Sequence, residues 1–353
     1  MKDRDKAMED VIDFSKNNDD FTILYHLDTD GIVSAALLTK VLETLGKKVV
    51  SYRPTNYEDF ETLDVSECSG SVFICDMQLR EKYFGLFSGR KLCVIDHHEP
   101  INAEGFAYIN PKMWGDMKYT PASLLVYKIF GDYISGYDWL SAVGLVGDSG
   151  GKDNGEFVED TAGKYAVKLG SDEYMYDNSF GEAASMIGSM TSLYGRNGAE
   201  EALGIILLCG SLASLLSNQT LRTADNTVNS ELKKLNDEFE AKKEKYGIIY
   251  FFEMDPKYKR YGSTLVTALS FRKKYYGSVL VFMTKINHKL VRINIRANGV
   301  EIRLPDILRE IFKKIKGEGG GHDKASGGSI NARDKEAFKK LFIEEVAKQM
   351  GSA

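Results

Sequence analysis

The 353-residue sequence has little cysteine and no long apolar run, and both features limit the class of protein to which it can belong. Its cysteines (Cys68, Cys75, Cys93 and Cys209) stand singly, without a Cys-x-x-Cys pair, which argues against a disulfide scaffold or a cysteine zinc site. The longest apolar stretch, 202–216, is too short to favour a membrane span. The charged start lacks the apolar segment of a secretory signal. We therefore expect a cytoplasmic protein with no membrane association.

Charge is distributed unevenly along the chain, although the net charge is only −5. Residues 249–353 hold 21 Lys and Arg against 11 Asp and Glu, a formal charge of +10, whereas residues 1–248 hold 25 against 40, a charge of −15. A basic domain often faces phosphate groups, but ordinary solvated lysines give the same composition. Charge alone leaves both readings open.

Strand-like and helical segments alternate in the first half of the chain. The apolar segments 21–28, 47–54, 71–76 and 91–96 are typical of strands, and helical spacing covers 31–46 and 120–131. This alternation predicts an α/β fold, with a mostly parallel sheet that carries helices on both faces. Ligands of such sheets gather at the carboxyl ends of the strands.

We expect three parts along the chain. A catalytic domain takes 1–225, a polar connecting helix takes 226–247, and a smaller α/β domain takes 248–353. In the smaller domain, segments 263–271, 277–286 and 289–297 predict strands, and a hairpin turn near Asn287 and His288 joins the last two. A glycine-rich loop then separates two helices.

Ionisable residues stand where the predicted strands of the first domain end. His26, Asp28 and Asp30 alternate along the end of the first strand, which would point all three to one side of an extended chain. The other strand and helix ends contribute Asp76, Asp96, His97, His98 and Asp148. One aspartate at a strand end is usually a cap, but four such ends in order, with three of the five histidines, indicate a shared site.

So many carboxylates cannot share a poorly solvated pocket without compensating charge. Divalent cations supply it, and mixed carboxylate and imidazole ligands favour Mn²⁺, with Mg²⁺ also possible. The number of side chains suffices for two ions that share a bridging carboxylate. Two such ions can stabilise both the attacking and the leaving oxygen when a phosphoryl group is displaced.

These residues match a family. The segments "HLDTDG", "CD", "DHH" and "GLVGD" resemble, in order, the four motifs of the DHH phosphoesterase superfamily, and "GEGGGHDKASGG" resembles the GGGH motif of its associated domain. The first motif begins with His, as it does in archaeal RecJ-like members, whereas bacterial RecJ members have Asp at this position. The resemblance implies two ions, usually manganese, in the first domain, and a second domain that closes over the substrate.

The resemblance also implies a role for each matching residue. His26 and Asp28 would bind one ion and Asp76 would bridge both, while the second ion would take Asp30, His97 and Asp148. His98 would face the scissile phosphate, and Asp96 would orient an imidazole. The catalytic set is therefore His98, Asp76 and Asp96.

The basic domain carries the predicted substrate-binding residues. Along 290–297 apolar residues alternate with Arg292, Asn294 and Arg296, so one face of this strand is polar. Arginine has a forked geometry that suits phosphate. The residues Gly319, Gly320 and Gly321 would let backbone N–H groups approach a phosphate, and His322 would add a donor.

The sequence therefore predicts a manganese-dependent phosphodiesterase, most simply a single-strand-specific exonuclease acting on DNA or RNA in a cleft between the two domains. Three alternatives remain open at this stage. The first is a hydrolase of short oligoribonucleotides, cyclic dinucleotides or bisphosphonucleotides. The second is a RecJ-like protein that binds replication or repair proteins, and the third is an inorganic pyrophosphatase, against which the GGGH motif argues.

Overall fold

The computed structural model describes residues 3–171 and 175–351. The chain divides into two compact units, Met1–Thr227 and Val228–Ala353. Within the described residues, no helix combines the length and the apolar character that a membrane crossing requires.

A five-stranded sheet forms the centre of the first unit, and each pair of neighbouring strands is parallel. The strand order is β2-β1-β3-β4-β5, with β1 (Asp20–His26), β2 (Lys48–Thr55), β3 (Ser71–Cys75), β4 (Leu92–Ile95) and β5 (Ala107–Ile109). The helices are α1 (Arg4–Lys16), α2 (Thr29–Thr44), α3 (Ala122–Phe130), α4 (Asp138–Gly147), α5 (Gly155–Lys164), α6 (Ser179–Tyr194), α7 (Arg196–Leu208), α8 (Leu212–Leu216) and α9 (Gln219–Lys242).

Alternation of side chains along the strands gives this sheet two buried faces. Phe21, Ile23 and Tyr25 of β1 join the large core that α1 to α4 complete, whereas Leu24 joins a second core. Short 3₁₀ helices, among them the one over 81–87, line that second core. Burial on both faces is typical of a parallel sheet, and the predicted fold class is confirmed.

Glycines let α4 pack closely against its neighbours. A Cβ added at Gly144 would lie 2.4 Å from Oγ of Ser123 and 2.9 Å from Cγ1 of Val33, and one at Gly147 would lie 2.8 Å from Cγ2 of Thr29. Only a residue without a side chain fits at these two positions. The two glycines of "GLVGD" thus bring the end of α4 against the start of α2.

The predicted connecting helix corresponds to α9, which begins at Gln219, seven residues before the predicted start. The division between the two units falls within this helix. Beyond the division, Leu235 and Phe239 pack in the core of the second unit. The second half of α9 is therefore an amphipathic helix of that unit.

The second unit contains a six-stranded mixed sheet. Its order is β10-β11-β9-β8-β7-β6, with β6 (Glu244–Tyr246), β7 (Ile249–Met254), β8 (Ser278–Lys285), β9 (Leu290–Asn298), β10 (Gly317–His322) and β11 (Ala325–Asn331). Its remaining helices are α10 (Gly262–Ser270), α11 (Leu304–Phe312) and α12 (Lys335–Gly351). The predicted hairpin between β8 and β9 is confirmed, because these strands pair antiparallel.

Residues 263–271 do not form the predicted strand, because most of them lie in α10. β-branched residues in this segment favoured a strand, but Leu265, Val266 and Leu269 have the spacing of one helical face. All three are buried against Phe252 of β7 and other residues of the sheet. Tertiary packing therefore decides the structure here, against local propensity.

Candidate active site

The ionisable residues that follow the strands lie together at the carboxyl edge of the first sheet. His26 is the last residue of β1, Asp76 directly follows β3, and His97 lies two residues beyond β4. Asp148 caps the C-terminus of α4. Parallel strands end at the same edge of a sheet, so residues far apart in sequence converge there.

The first cluster consists of His26, Asp28 and Asp76. Nδ1 of His26 lies 2.7 Å from Oδ2 of Asp28 and 3.4 Å from Oδ2 of Asp76. Asp28 is also the N-cap of α2, since its Oδ1 accepts a hydrogen bond from the backbone N–H of Gly31 at 3.0 Å. A Cβ at Gly31 would lie 2.4 Å from the carbonyl oxygen of His26, so the turn requires glycine here.

The second cluster consists of Asp30, His97 and Asp148. Nε2 of His97 lies 3.4 Å from Oδ2 of Asp148. Asp30 is almost fully buried, and its carboxylate accepts hydrogen bonds from the backbone N–H groups of Ala122, at 2.6 Å, and Ser123, at 3.0 Å. These donors belong to the first turn of α3, whose dipole favours a negative charge.

The expected alternation of His26, Asp28 and Asp30 along one extended strand is wrong. The strand ends at His26, and Asp30 already lies in the first turn of α2. A helical turn follows the strand, so Asp30 points to different neighbours than His26 does. The three residues divide between the two clusters instead of converging on one spot.

Asp76 lies between the clusters and has an unusual backbone conformation. Its Oδ1 is 3.1 Å from Nε2 of His97, while its Oδ2 faces His26. Asp76 is buried, and its Oδ2 accepts no hydrogen bond within the part of the chain that the structure describes. Its φ of 60° lies in the left-handed region, which costs of the order of 1 kcal/mol and recurs at functional sites. A cation between the clusters would satisfy this carboxylate.

The electrostatics of the site also favour bound cations. Burial and the nearby charges of Asp28, Asp30 and Asp148 raise the pKa of Asp76 well above its usual value. Burial and Asp28 raise the pKa of Asp30 to about 6. Carboxylates that repel one another in this way bind divalent cations readily, because the ions supply the missing positive charge. The residues present therefore fit divalent cations.

His98 has a different environment from His97, although the two are adjacent. Nδ1 of His98 lies 2.7 Å from Oδ1 of the fully buried Asp96. Asn110 donates a hydrogen bond to the carbonyl oxygen of His98 at 3.0 Å. The expected imidazole partner of Asp96 is thus His98, whose side chain stays partly exposed. His98 also groups with Asp76 and His97 at metal-binding distances.

Two tyrosines of the site carried no recognisable signal in the sequence. The hydroxyl of Tyr119 donates a hydrogen bond to Oδ2 of Asp148 at 2.8 Å, and its ring centroid lies 5.0 Å from that of His97. The ring of Tyr57 lies 6.0 Å from that of His26 and 6.1 Å from that of His98. Tyr119 lies in a loop and Tyr57 begins the 3₁₀ helix Tyr57–Glu61, and only an alignment or a structure could reveal their positions.

In the second unit, Arg292, Arg296 and His322 lie on the same face of the sheet. Arg296 of β9 pairs with Ala325 of β11, which pairs with His322 of β10. Residues directly opposite each other point to one face, and the small Ala325 leaves space between the two longer side chains. Nη2 of Arg296 also donates to Oγ of Ser263, in the first turn of α10, at 3.3 Å.

The glycine triplet lies in strand β10 and not in the predicted loop. A Cβ at Gly319 would lie 2.4 Å from the carbonyl oxygen of Gly327, and one at Gly321 would lie 2.5 Å from that of Ala325. Close pairing with β11 therefore requires glycine at both positions. Gly320 is different, because nothing lies within 4 Å of an added Cβ.

Fold and site together define a metal-dependent hydrolase. Residues 20–144 match the model of the DHH family, N-terminal domain, and residues 244–348 match that of the DHHA1 domain. The chain therefore belongs to the DHH phosphoesterase superfamily, as its motifs indicated. No curated protein matches the sequence.

Solved structures show the same fold at low sequence identity. RecJ from Thermus thermophilus in complex with Mn²⁺ is 16% identical, with a TM-score of 0.69, and the match covers 97% of this chain but only 54% of RecJ. An exonuclease RecJ bound to manganese is also 16% identical, with a TM-score of 0.66 over 98% and 95% of the two chains. CDC45 from Entamoeba histolytica is 12% identical, with a TM-score of 0.60 over 97% and 99%. Thermus thermophilus RecJ has also been solved with Mg²⁺.

Proposed function

We propose that the protein is a manganese-dependent exonuclease that degrades single-stranded nucleic acid to mononucleotides by two-metal hydrolysis. The observation that carries this proposal is the position of Asp76. Its two carboxylate oxygens face imidazoles of two different clusters, His26 on one side and His97 on the other. A carboxylate shared in this way is what a pair of ions needs to act on one phosphate.

Each side chain of the site has a role in this proposal. Bound ions would supply charge to polarise the phosphate and activate water, and Asp76 would hold both ions. Asp96 accepts a hydrogen bond from Nδ1–H of His98, so this imidazole keeps a fixed tautomer. Its other nitrogen, Nε2, would then face the scissile phosphate. The proposed ligands are His26, Asp28 and Asp76 for one ion, and Asp30, Asp76, His97 and Asp148 for the other.

The second unit would bind the phosphates of the substrate. Arg292 and Arg296 point to one face of β9, and His322 shares that face. The first turn of α10 lies beside Arg296, and a helix N-terminus attracts anions. Gly319, Gly320 and Gly321 complete this proposed surface, and Gly320 in particular leaves open space above the backbone.

Degradation of labelled strands tests the proposal. Single strands of DNA and RNA, labelled at the 5′ or 3′ end, are incubated with Mn²⁺, with Mg²⁺ or with a chelator, and compared with a dinucleotide. We expect mononucleotide products that depend on Mn²⁺, and turnover of long strands at a rate comparable to that of the dinucleotide. Turnover of the dinucleotide alone would favour a hydrolase of short substrates, and release of phosphate from pyrophosphate would refute the nuclease.

The resemblance of the motifs to RecJ-like proteins implies a second function, the binding of replication or repair proteins, and the fold is also similar to that of CDC45. The two functions are compatible, because every proposed ligand position carries a metal-binding side chain. Pull-down with the wild type and with the Asp76→Asn variant separates them. A partner that the wild type and the Asp76→Asn variant capture equally binds to the protein surface and does not require catalysis.

A further inference from the structure

Tyr119 occupies a place in the metal cluster that no motif assigns to it. Its hydroxyl donates a hydrogen bond of 2.8 Å to Oδ2 of Asp148, the oxygen that also lies 3.4 Å from Nε2 of His97. The Tyr119 ring meets the His97 ring edge-on, with centroids 5.0 Å apart and planes at 78°. One side chain thus contacts two of the proposed ligands of the same ion.

The backbone of Tyr119 is fixed by the loop that follows Asp148. Its N–H donates to Oδ2 of Asp153 at 2.8 Å, and its carbonyl oxygen accepts from Nδ2 of Asn154 at 2.7 Å. The same nitrogen of Asn154 donates to the carbonyl oxygen of Gly150 at 2.9 Å. Two hydrogen bonds of the Tyr119 backbone, together with the bond from the Tyr119 hydroxyl to Asp148, therefore join the segment that carries Tyr119 to the segment that carries Asp148.

The position of Asp148 in the fold gives its negative charge no support from the dipole of α4. Asp148 is the C-cap of α4, and the next residue, Ser149, has a φ of 61°. A carboxylate at a helix C-terminus gains nothing from the helix dipole, which is negative there. A carboxylate has about four acceptor positions, so a hydrogen bond to Oδ2 fixes its rotation while leaving others for a cation.

We infer that Tyr119 is a positioning residue, which holds the Asp148 carboxylate and the His97 ring in the orientation that binds one of the two divalent cations. The inference rests on the proposed function, since it takes Asp148 and His97 as ligands. Residues that support a ligand by hydrogen bonding typically contribute about 10- to 100-fold to metal affinity. Tyr119→Phe removes the hydroxyl and keeps the ring, so it separates the hydrogen bond from the packing.

Tyr176→Phe is the matched control for this variant. The hydroxyl of Tyr176 bonds to Oγ of Ser149 at 2.8 Å and donates to the carbonyl oxygen of Gly147 at 3.4 Å. These residues flank Asp148, so the control removes a phenol hydroxyl that bonds to the neighbours of this carboxylate. Titration with Mn²⁺, followed by the electron paramagnetic resonance signal of free Mn²⁺, gives the number and affinity of bound ions.

We expect two ions in the wild type and in Tyr176→Phe, and a 10- to 100-fold weaker affinity for one ion in Tyr119→Phe. The melting temperature without metal should stay close to that of the wild type, and excess Mn²⁺ should restore hydrolysis. Equal affinities in Tyr119→Phe and the wild type would overturn the inference, and so would equal losses in the two variants. A wild type that binds no Mn²⁺ would overturn the proposed function itself, and the inference with it.

Discussion

The Asp76→Asn substitution tests the shared carboxylate most directly. Asparagine has nearly the same size and also tolerates the left-handed backbone conformation that Asp76 adopts, at a φ of 60°. The variant therefore changes the charge and one ligand oxygen while leaving the backbone in place. Because one carboxylate oxygen of Asp76 faces His26 of the first cluster and the other faces His97 of the second, both ions should lose affinity.

The expected size of the effect follows from the number of ions. Each ion bound at a concentration of 100 times its Kd adds about 2.7 kcal/mol to the free energy of unfolding, so two ions add about 5 kcal/mol. For a unit of 227 residues, each kcal/mol raises the melting temperature by about 2–4 °C, which gives about 10–20 °C in total. We expect Asp76→Asn to lose most of this shift. Its rate of hydrolysis should fall by more than the roughly 100-fold typical of residues that only support a ligand.

Thermal unfolding with and without Mn²⁺ measures this shift, and strand degradation measures the rate. Asp138→Asn is the matched control, because Asp138 is also buried in the first unit but pairs with Lys164 at 2.7 Å, away from the clusters. This control should lower the melting temperature without metal and retain the shift that Mn²⁺ causes. A variant at Asp76 that keeps the full shift and full activity would refute the two-metal site.

Further predictions concern the second unit. Arg296→Ala should raise the KM for single strands about tenfold or more, while Mn²⁺ binding is unchanged. Arg309→Ala removes an exposed arginine of α11 and should leave both the KM and Mn²⁺ binding unchanged. Equal KM values for the two variants would exclude a phosphate contact at Arg296. Burial alone would raise the pKa of Glu240, but two lysines and a tyrosine outweigh it and lower this pKa from 4.5 to about 2. Since the pKa is lowered by folding, the stabilisation is present above pH 4.5 and is lost as the pH falls towards 2. The amount is small because the Glu240 side chain is partly exposed to water. Acid unfolding should therefore begin at a lower pH in the wild type than in Glu240→Gln. Gly319→Ala should destabilise the hairpin by about 1–3 kcal/mol, because its Cβ meets backbone, while Gly320→Ala should melt like the wild type, as calorimetry can show.

The sequence is sufficient to predict the fold of the first unit and the members of its clusters. Alternating strands and helices imply a parallel sheet, and a parallel sheet brings the residues after its strands to one edge. His26, Asp76 and His97 are found there for this reason, whereas Asp148 reaches the same site from the end of helix α4. No conformational detail is needed for that step, only the order of elements along the chain.

The same sequence does not determine how the carboxylates divide between clusters. A spacing of two residues suggests that the side chains of Asp28 and Asp30 point in the same direction. Helix α2 begins between them, however, and turns Asp30 towards α3. Tyr119 is missed for a related reason. Its contact with Asp148 joins two loops, and loop contacts leave no periodicity in a sequence.

The glycine triplet shows why a motif and a mechanism are not the same thing. Its sequence pattern suggested that the glycines lack side chains so that a phosphate can approach the backbone. Pairing with β11, however, already requires glycine at positions 319 and 321. Only Gly320 has open space where its Cβ would be, and neither packing nor the hairpin accounts for glycine there. Gly320 is therefore the position at which a loss of substrate binding, without a loss of stability, would separate the role in function from the role in folding.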